Sequence, residues 1–370
     1  MSSPLPLIAL LTALLLAGCA VPRRASAPAV RATGFIGLRD FSHFIRTPGT
    51  NAGEIVLTSP PFKAPLDWDE LVVSWNSAPG DHLTIEARVL RLDHFTKYYT
   101  LGRWSDDPSQ YPRESVPRQT DPDGTVKTDT LILKRPGGDV QLRLTLGGKD
   151  TNTPANLKYL ALSFCDSRQR PDPAATNSAA WGKILPVPEL RQGDYPEQQG
   201  WCSPTSLSMV LAYWGKILKR PELNRPVPEV AHAIHDTAFD GTGNWPFNTA
   251  YAGAFPGLRA YVTRFNDLSE LEDWINAGVP VIISVSSYLT NDRRSGRDNG
   301  HLIVCAGFTA TGDFVANDPG VSVKRNESAR RVYPRARVIE AWKKSKNAVY
   351  LIYPESLKPP RNRSGTWDAK

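Results

Sequence analysis

Residues Gly200 to Gly215 read Gly-Trp-Cys-Ser-Pro-Thr-Ser-Leu-Ser-Met-Val-Leu-Ala-Tyr-Trp-Gly, and they constrain the fold more than any other stretch of the chain. Leu207, Val210, Leu211 and Trp214 recur at helical spacing and form one apolar face, so the segment is a helix packed on one side. Pro204 suits its first turn, where a missing N–H is no loss, and Gly215 suits its stop. Cys202 then stands at a helix N-terminus, where unpaired N–H groups and the helix dipole favour thiolate over thiol. Such a cysteine is either a nucleophile or a buried structural thiol, and its partners decide which.

A thiol hydrolase needs a base for the thiol proton, a group that fixes the base's tautomer, and donors for the oxyanion. The second half of the chain holds three histidines. His232 and His235 lie three apart on a helix whose apolar face is Val230, Ala231 and Ile234, and they read as surface residues without a third metal ligand. His301 begins an apolar strand directly after Asn299-Gly300, either as a base at a sheet edge or as a core histidine bonded to backbone. Thr311-Gly312-Asp313 reads as the hairpin turn after that strand. An antiparallel return would carry Asp318, of Asn317-Asp318-Pro319-Gly320, back toward His301. Asp318 would there orient the imidazole, or would simply initiate the Pro319-Gly320 turn.

Gly-Trp-Cys-Ser-Pro-Thr-Ser before a helix, Gly-His-Leu-Ile-Val and Asn-Asp-Pro together resemble the bacteriocin-processing peptidase family. This is a branch of the papain-like cysteine peptidase superfamily with chain order Cys, His, Asp. The resemblance covers roughly residues 185 to 354. It implies Cys202 as nucleophile, His301 as base, Asp318 as orienting acid, and a glutamine that donates to the oxyanion beside the Cys202 N–H. The family's offset of six residues lands on Pro196, so the glutamine is assigned to Gln192, with Gln198 and Gln199 as alternatives. Trp-Cys-Ser replaces the family's common Asp-Cys-Gly. No transmembrane bundle or G-x-x-x-x-G-K-[ST] loop follows, so an exporter-fused enzyme acting on a double-Gly leader is not expected. Trp201 and Trp245 are cleft or core candidates, and the loop from Ser287 to Gly300 is long enough to overhang a site.

The start of the chain points outside the cytoplasm. Leu5 to Leu16 is an apolar run too short to span a bilayer, and Leu16-Ala17-Gly18-Cys19 resembles the lipobox of bacterial lipoproteins, with Cys19 as the lipidated residue. A plain secretory signal is the alternative. Residues 1 to 18 carry no charge, so the formal net charge of +7 belongs to the remainder. The basic residues are scattered in pairs rather than gathered into a stripe with aromatics, which argues against nucleic acid as partner. Cys165 and Cys305, in separate expected domains, read as buried free thiols, and no cysteine spacing calls for a metal or other cofactor.

Between Phe35 and Cys165 short alternating runs, such as Leu83 to Leu90 and Val140 to Leu146, are separated by turn clusters such as Pro136-Gly137-Gly138-Asp139. Tyr98, Tyr99, Trp104 and Tyr111 with Arg103, Arg113 and Arg118 form either core plus loop polars or a binding face. The expected architecture is therefore an all-β sandwich of jelly-roll type over residues 34–165, followed by an α+β papain-like domain over residues 185–356. A signal peptide (1–18), a tether (19–33), a linker (166–184) and a flexible tail (357–370) complete it. The expected function is an exported, lipid-anchored cysteine peptidase of the cell envelope, held on the outer membrane or facing the periplasm. The same triad working as an amidase or acyl transferase, or a non-catalytic peptide- or glycan-binding protein, are the alternatives.

Overall fold

The computed structural model describes residues 30–150, 155–171, 175–195, 200–289, 298 and 300–368. The lipobox with Cys19, Gln198, Gln199 and most of the expected overhanging loop lie outside the described residues.

The N-terminal half is all-β. Its ten strands are β1 (Thr33–Leu38), β2 (Ile45–Pro48), β3 (Ile55–Thr58), β4 (Glu70–Ser77), β5 (His82–Leu90), β6 (Tyr99–Trp104), β7 (Gly124–Lys127), β8 (Thr130–Leu133), β9 (Asp139–Gly147) and β10 (Leu157–Cys165). They form two five-stranded antiparallel sheets, ordered β1-β10-β4-β8-β7 and β2-β3-β9-β5-β6. Along β5 and β9 buried and half-buried residues alternate, because successive side chains point to opposite faces. Trp75 of one sheet meets Trp104 of the other edge-to-face, with ring centroids 6.3 Å apart.

The C-terminal half is α+β. Helices α1 (Cys202–Leu218), α2 (Val227–Ile234) and α3 (Trp245–Ala254) precede β11 (Leu258–Arg264), α4 (Leu268–Asn276), β12 (Val281–Val285), β13 (His301–Phe308), β14 (Phe314–Asn317), β15 (Arg330–Tyr333), α5 (Arg335–Trp342) and β16 (Ala348–Pro354). The strands make one antiparallel sheet ordered β11-β16-β12-β13-β14-β15. Four expectations are corrected here. β11 and β15 add to the expected strands, and β11 splits the helices into two groups. The pattern Ser269 with Glu272 three residues on predicts a capping box at the start of α4, but the cap is Asp267, whose carboxylate accepts the Ser269 N–H. Glu272 is instead fully buried and accepts bonds from Trp181 Nε1, Arg335 Nη1 and the Asn177 N–H, so residues from Asn177 onward already belong to this domain rather than to a linker. The tail does not fray: Trp367 is 2% exposed and packs on Phe265 and Trp274, while Asp368 accepts bonds from Tyr159 and Arg39.

β4 explains how the halves join. Every residue of it is buried, since it is covered on both faces. Glu70, Ser74 and Asn76 share the face turned toward β11, the edge strand of the C-terminal sheet. Asn76 Nδ2 donates to Ala260 O (2.7 Å), the Ala260 N–H donates to Asn76 Oδ1 (3.2 Å), and the Val262 N–H donates to Ser74 Oγ (3.0 Å). Side chains of one domain thus satisfy backbone groups that an open sheet edge would leave unpaired. Arg113, also buried, donates to His232 O (2.6 Å) and His235 O (3.0 Å) across the same boundary.

Candidate active site

Cys202 is the first residue of α1, as the helical pattern requires. The cap position is Trp201, whose side chain makes no capping bond, so the first-turn N–H groups keep their positive end free for an anion. The helix is held from below: Ser206 Oγ donates to Leu302 O (3.1 Å), and Ser203 Oγ donates to Asn248 Oδ1 (2.8 Å). Leu207, Val210 and Leu211 are fully buried, and Trp214 is nearly so.

His301 opens β13 opposite Val285 of β12. Gly300 precedes it at φ +78°, a left-handed conformation that turns the chain into the strand and that favours glycine. The hairpin predicted at Thr311-Gly312-Asp313 is present. Its ladder pairs Phe308 with Phe314 and Val304 with Asn317, with a bulge between Cys305 and Gly307. The paired part ends at Val304, short of His301, and the Asp318-Pro319-Gly320 turn covers the remaining distance. There Asp318 Oδ1 lies 2.7 Å from His301 Nε2.

Asp318 is itself anchored on every side. Its N–H donates to Ala329 O (2.7 Å), Tyr333 Oη donates to Oδ2 (2.5 Å), and the Gly320 N–H donates to Oδ1 (2.8 Å). Burial alone would raise its carboxyl, but the charge and hydrogen bond of His301 and the Tyr333 and Gly320 donors outweigh that, and the pKa falls below the ordinary value. Tyr333 is a site residue that the sequence does not reveal. It sits on β15, opposite Phe314, and no local pattern announces that strand. Gly320 is needed for close approach: a Cβ there would lie 2.9 Å from His301 Cε1 and 3.0 Å from Nε2.

With Nε2 facing Asp318, the other ring nitrogen is the one left for Cys202, whose thiol feels the His301 side chain. Burial would lower the imidazole pKa. The charge of Asp318 and the bonds to Asp318 and Cys202 reverse this and lift it to about 10. For Cys202, burial pushes the thiol up, and the His301 hydrogen bond and charge pull it below the ordinary value. Both directions favour a thiolate–imidazolium pair.

The pair opens into a cleft of ≈ 680 Å³. Trp201, Trp245, Gly241 and Leu302 line it from the C-terminal half, while Glu70, Lys127, Thr130 and Ile132 line it from the N-terminal half. Trp201 serves both expected roles, since it also packs on Val227 and Ala231. Gln192 is not among the lining residues. Its N–H donates to Pro319 O (3.0 Å), and its Oε1 has no hydrogen-bond partner. Among the described residues no group of His, Cys, Asp and Glu could hold a metal. His235 pairs with Asp240, and Cys165 and Cys305 are buried free thiols, as expected. The aromatic–arginine cluster resolves into core (Tyr99, Trp104), a His82–Tyr111 stack and the domain-bridging Arg113.

The C-terminal half thus brings Cys202 and His301 to one cleft, with Asp318 on the far side of the imidazole. Residues 184–350 match the model of the Peptidase_C39 like family. Residues 51–163 match the Peptidase C39 N-terminal domain. Among solved structures, a protein from Bacillus anthracis described as a C39-like peptidase is 20% identical, with a TM-score of 0.35. The match covers 46% of this chain and 96% of that one. The search of curated proteins gave no match.

Proposed function

We propose that the chain is an exported, lipid-anchored cysteine peptidase that cleaves peptide or amide bonds of a cell-envelope substrate. The observation that carries this reading is one imidazole shared between Asp318 and the Cys202 thiol at the floor of an open cleft. In the proposed reaction the Cys202 thiolate attacks the carbonyl carbon, and the C=O π electrons move to oxygen. The oxyanion lies at the N-terminus of α1, beside the Cys202 N–H. Protonated His301 gives its proton to the leaving nitrogen as the C–N bond breaks, which leaves a thioester on Cys202. Neutral His301 then takes a proton from water, the hydroxide adds to the thioester, and the carboxylate product departs as the thiolate–imidazolium pair re-forms. Asp318 stays ionised and orients the ring.

Gln192 is the sequence's first choice for the second oxyanion donor. Its N–H is bonded to Pro319 O, next to Asp318, and Gln198 and Gln199 remain the alternatives. In this reading α1 against the antiparallel sheet is the papain-like core, and the two N-terminal sheets are the layers of a β-sandwich. Cys19 carries the lipid, and labelled fatty acid incorporated by the wild type should be lost in Cys19→Ala.

The test is hydrolysis of a peptide library and of cell-wall fragments by the full chain. Cleavage that disappears in Cys202→Ala, in a protein that still unfolds cooperatively, supports the reading. Undiminished cleavage in that variant overturns it. Equal yields of amine and free carboxylate mark hydrolysis, whereas acyl groups recovered on an added amine mark transfer.

A further inference from the structure

The charges along the cleft do not balance. Among the described lining residues the cations are Lys127, Arg264, Lys344 and Lys346, and the carboxylates are Glu70 and Asp240. Asp240 pairs with His235, and Lys344 pairs with Asp298 (2.9 Å). Glu70, buried at the start of β4, is left to face two cations, Arg264 Nη2 (3.0 Å) and Lys346 Nζ (2.6 Å). The carboxyl of Asp129 also feels the charge of Arg264, so the excess positive charge of this wall lies on Lys127. Lys127, exposed at the end of β7, makes no ion pair with a described residue.

Arg264 sharpens the point. It is 1% exposed, yet only Nη2 reaches Glu70, and Nε and Nη1 have no hydrogen-bond partner among the described residues. A guanidinium stays charged at any working pH, so its buried donors favour an acceptor brought by a ligand. Arginine offers paired N–H groups in a plane, the geometry that suits a carboxylate. The wall that holds these groups is built from both halves of the chain, because Glu70 and Lys127 belong to the N-terminal sheet and Arg264 and Lys346 to the C-terminal domain.

We propose that the N-terminal β domain forms one wall of the substrate site, and that Lys127 and Arg264 there make a subsite for a carboxylate of the substrate. The carboxylate is an acidic side chain or a free chain terminus. The proposal rests on the peptidase reading only in taking the Cys202 cleft as the place where substrate binds. The β domain is then a determinant of specificity rather than a separate binding module.

The experiment selects binders from a random peptide library with the full-length Cys202→Ala protein, so that no turnover is needed. The library is offered with free and with amidated C-termini. Enrichment of Asp or Glu over Asn or Gln at one position identifies a side-chain carboxylate, and enrichment of free over amidated termini identifies a terminal one. The expected preference is about fivefold or more, the scale of one partly exposed charge pair. It should fall in the Lys127→Met background and turn against acids in Lys127→Glu. Equal recovery of acids and amides, or a preference that Lys127→Glu leaves intact, overturns the subsite. Failure of the peptidase reading is separate: the selected peptides would then bind with the acid preference but remain uncut by the wild-type protein.

Discussion

Replacing Asp318 by asparagine removes one negative charge, 2.7 Å from His301 Nε2, from a buried place where little else can compensate. The imidazole keeps its burial, which lowers its pKa, and loses the charge that carries it to about 10. An opposite charge this close moves a pKa by about 1–3, and each pH unit corresponds to ~1.4 kcal/mol. The equilibrium constant for the thiolate–imidazolium pair over the neutral pair should therefore fall by roughly 10- to 1,000-fold. The assay is the rate of alkylation by iodoacetamide as a function of pH. In protein with Cys19 replaced by serine it reports on Cys202, because Cys165 and Cys305 are 1% and 0% exposed and burial pushes both thiols up. The wild-type rate should hold well below the ordinary thiol pKa and change again near pH 10, where His301 gives up its proton. In Asp318→Asn the lower plateau should vanish, and the rate should climb only as an isolated, buried thiol ionises. Superimposable profiles for the two proteins, with unfolding midpoints alike, would refute the coupling.

Three further outcomes follow from the same geometry. Gly320→Ala places a Cβ 2.9 Å from His301 Cε1, so the ring must move, and kcat/KM should fall on the order of 10²-fold while stability changes little; an unaffected kcat/KM would show that the turn yields instead. Trp367→Ala should cost about 3–5 kcal/mol in urea unfolding, because the ring fills a site between Phe265 and Trp274; a loss near zero would mean that the tail is not docked. Asp129, fully enclosed where its Oδ2 accepts the Trp245 N–H (2.8 Å), has its pKa raised by burial from 3.8 to about 6. The native state then binds more protons than the unfolded chain between those values, so stability should decline by roughly 3 kcal/mol as pH rises through that window. Asp129→Asn should flatten the decline, and an unchanged slope would contradict the assignment.

The parts of the site that can be read in advance are those set by local pattern. The period of Leu207, Val210, Leu211 and Trp214 places Cys202 at a helix start, and Thr311-Gly312-Asp313 places a hairpin that returns Asp318 to His301. What escapes depends on tertiary partners. β11 (Leu258–Arg264) looks unlike a buried strand because it carries Arg259 and Arg264, which pair with Glu355 and Glu70 from elsewhere in the chain. β15 is four residues with two arginines, so Tyr333 carries no sign that its hydroxyl reaches Asp318. The polar segment after Pro354 reads as a loose end, yet Trp367 and the bonds to Asp368 dock it. Gln192 is tied through its N–H to Pro319 O, a contact that the sequence around it does not announce.

The central claim is that Cys202 becomes acylated during turnover. Acid quenching of the full chain with a cleavable peptide, followed by mass mapping, tests it most directly. The account predicts a mass gain equal to the acyl portion on the peptide that contains Cys202, abolished in His301→Ala. Turnover without any adduct on Cys202, or an adduct on Cys165 or Cys305 instead, would contradict it.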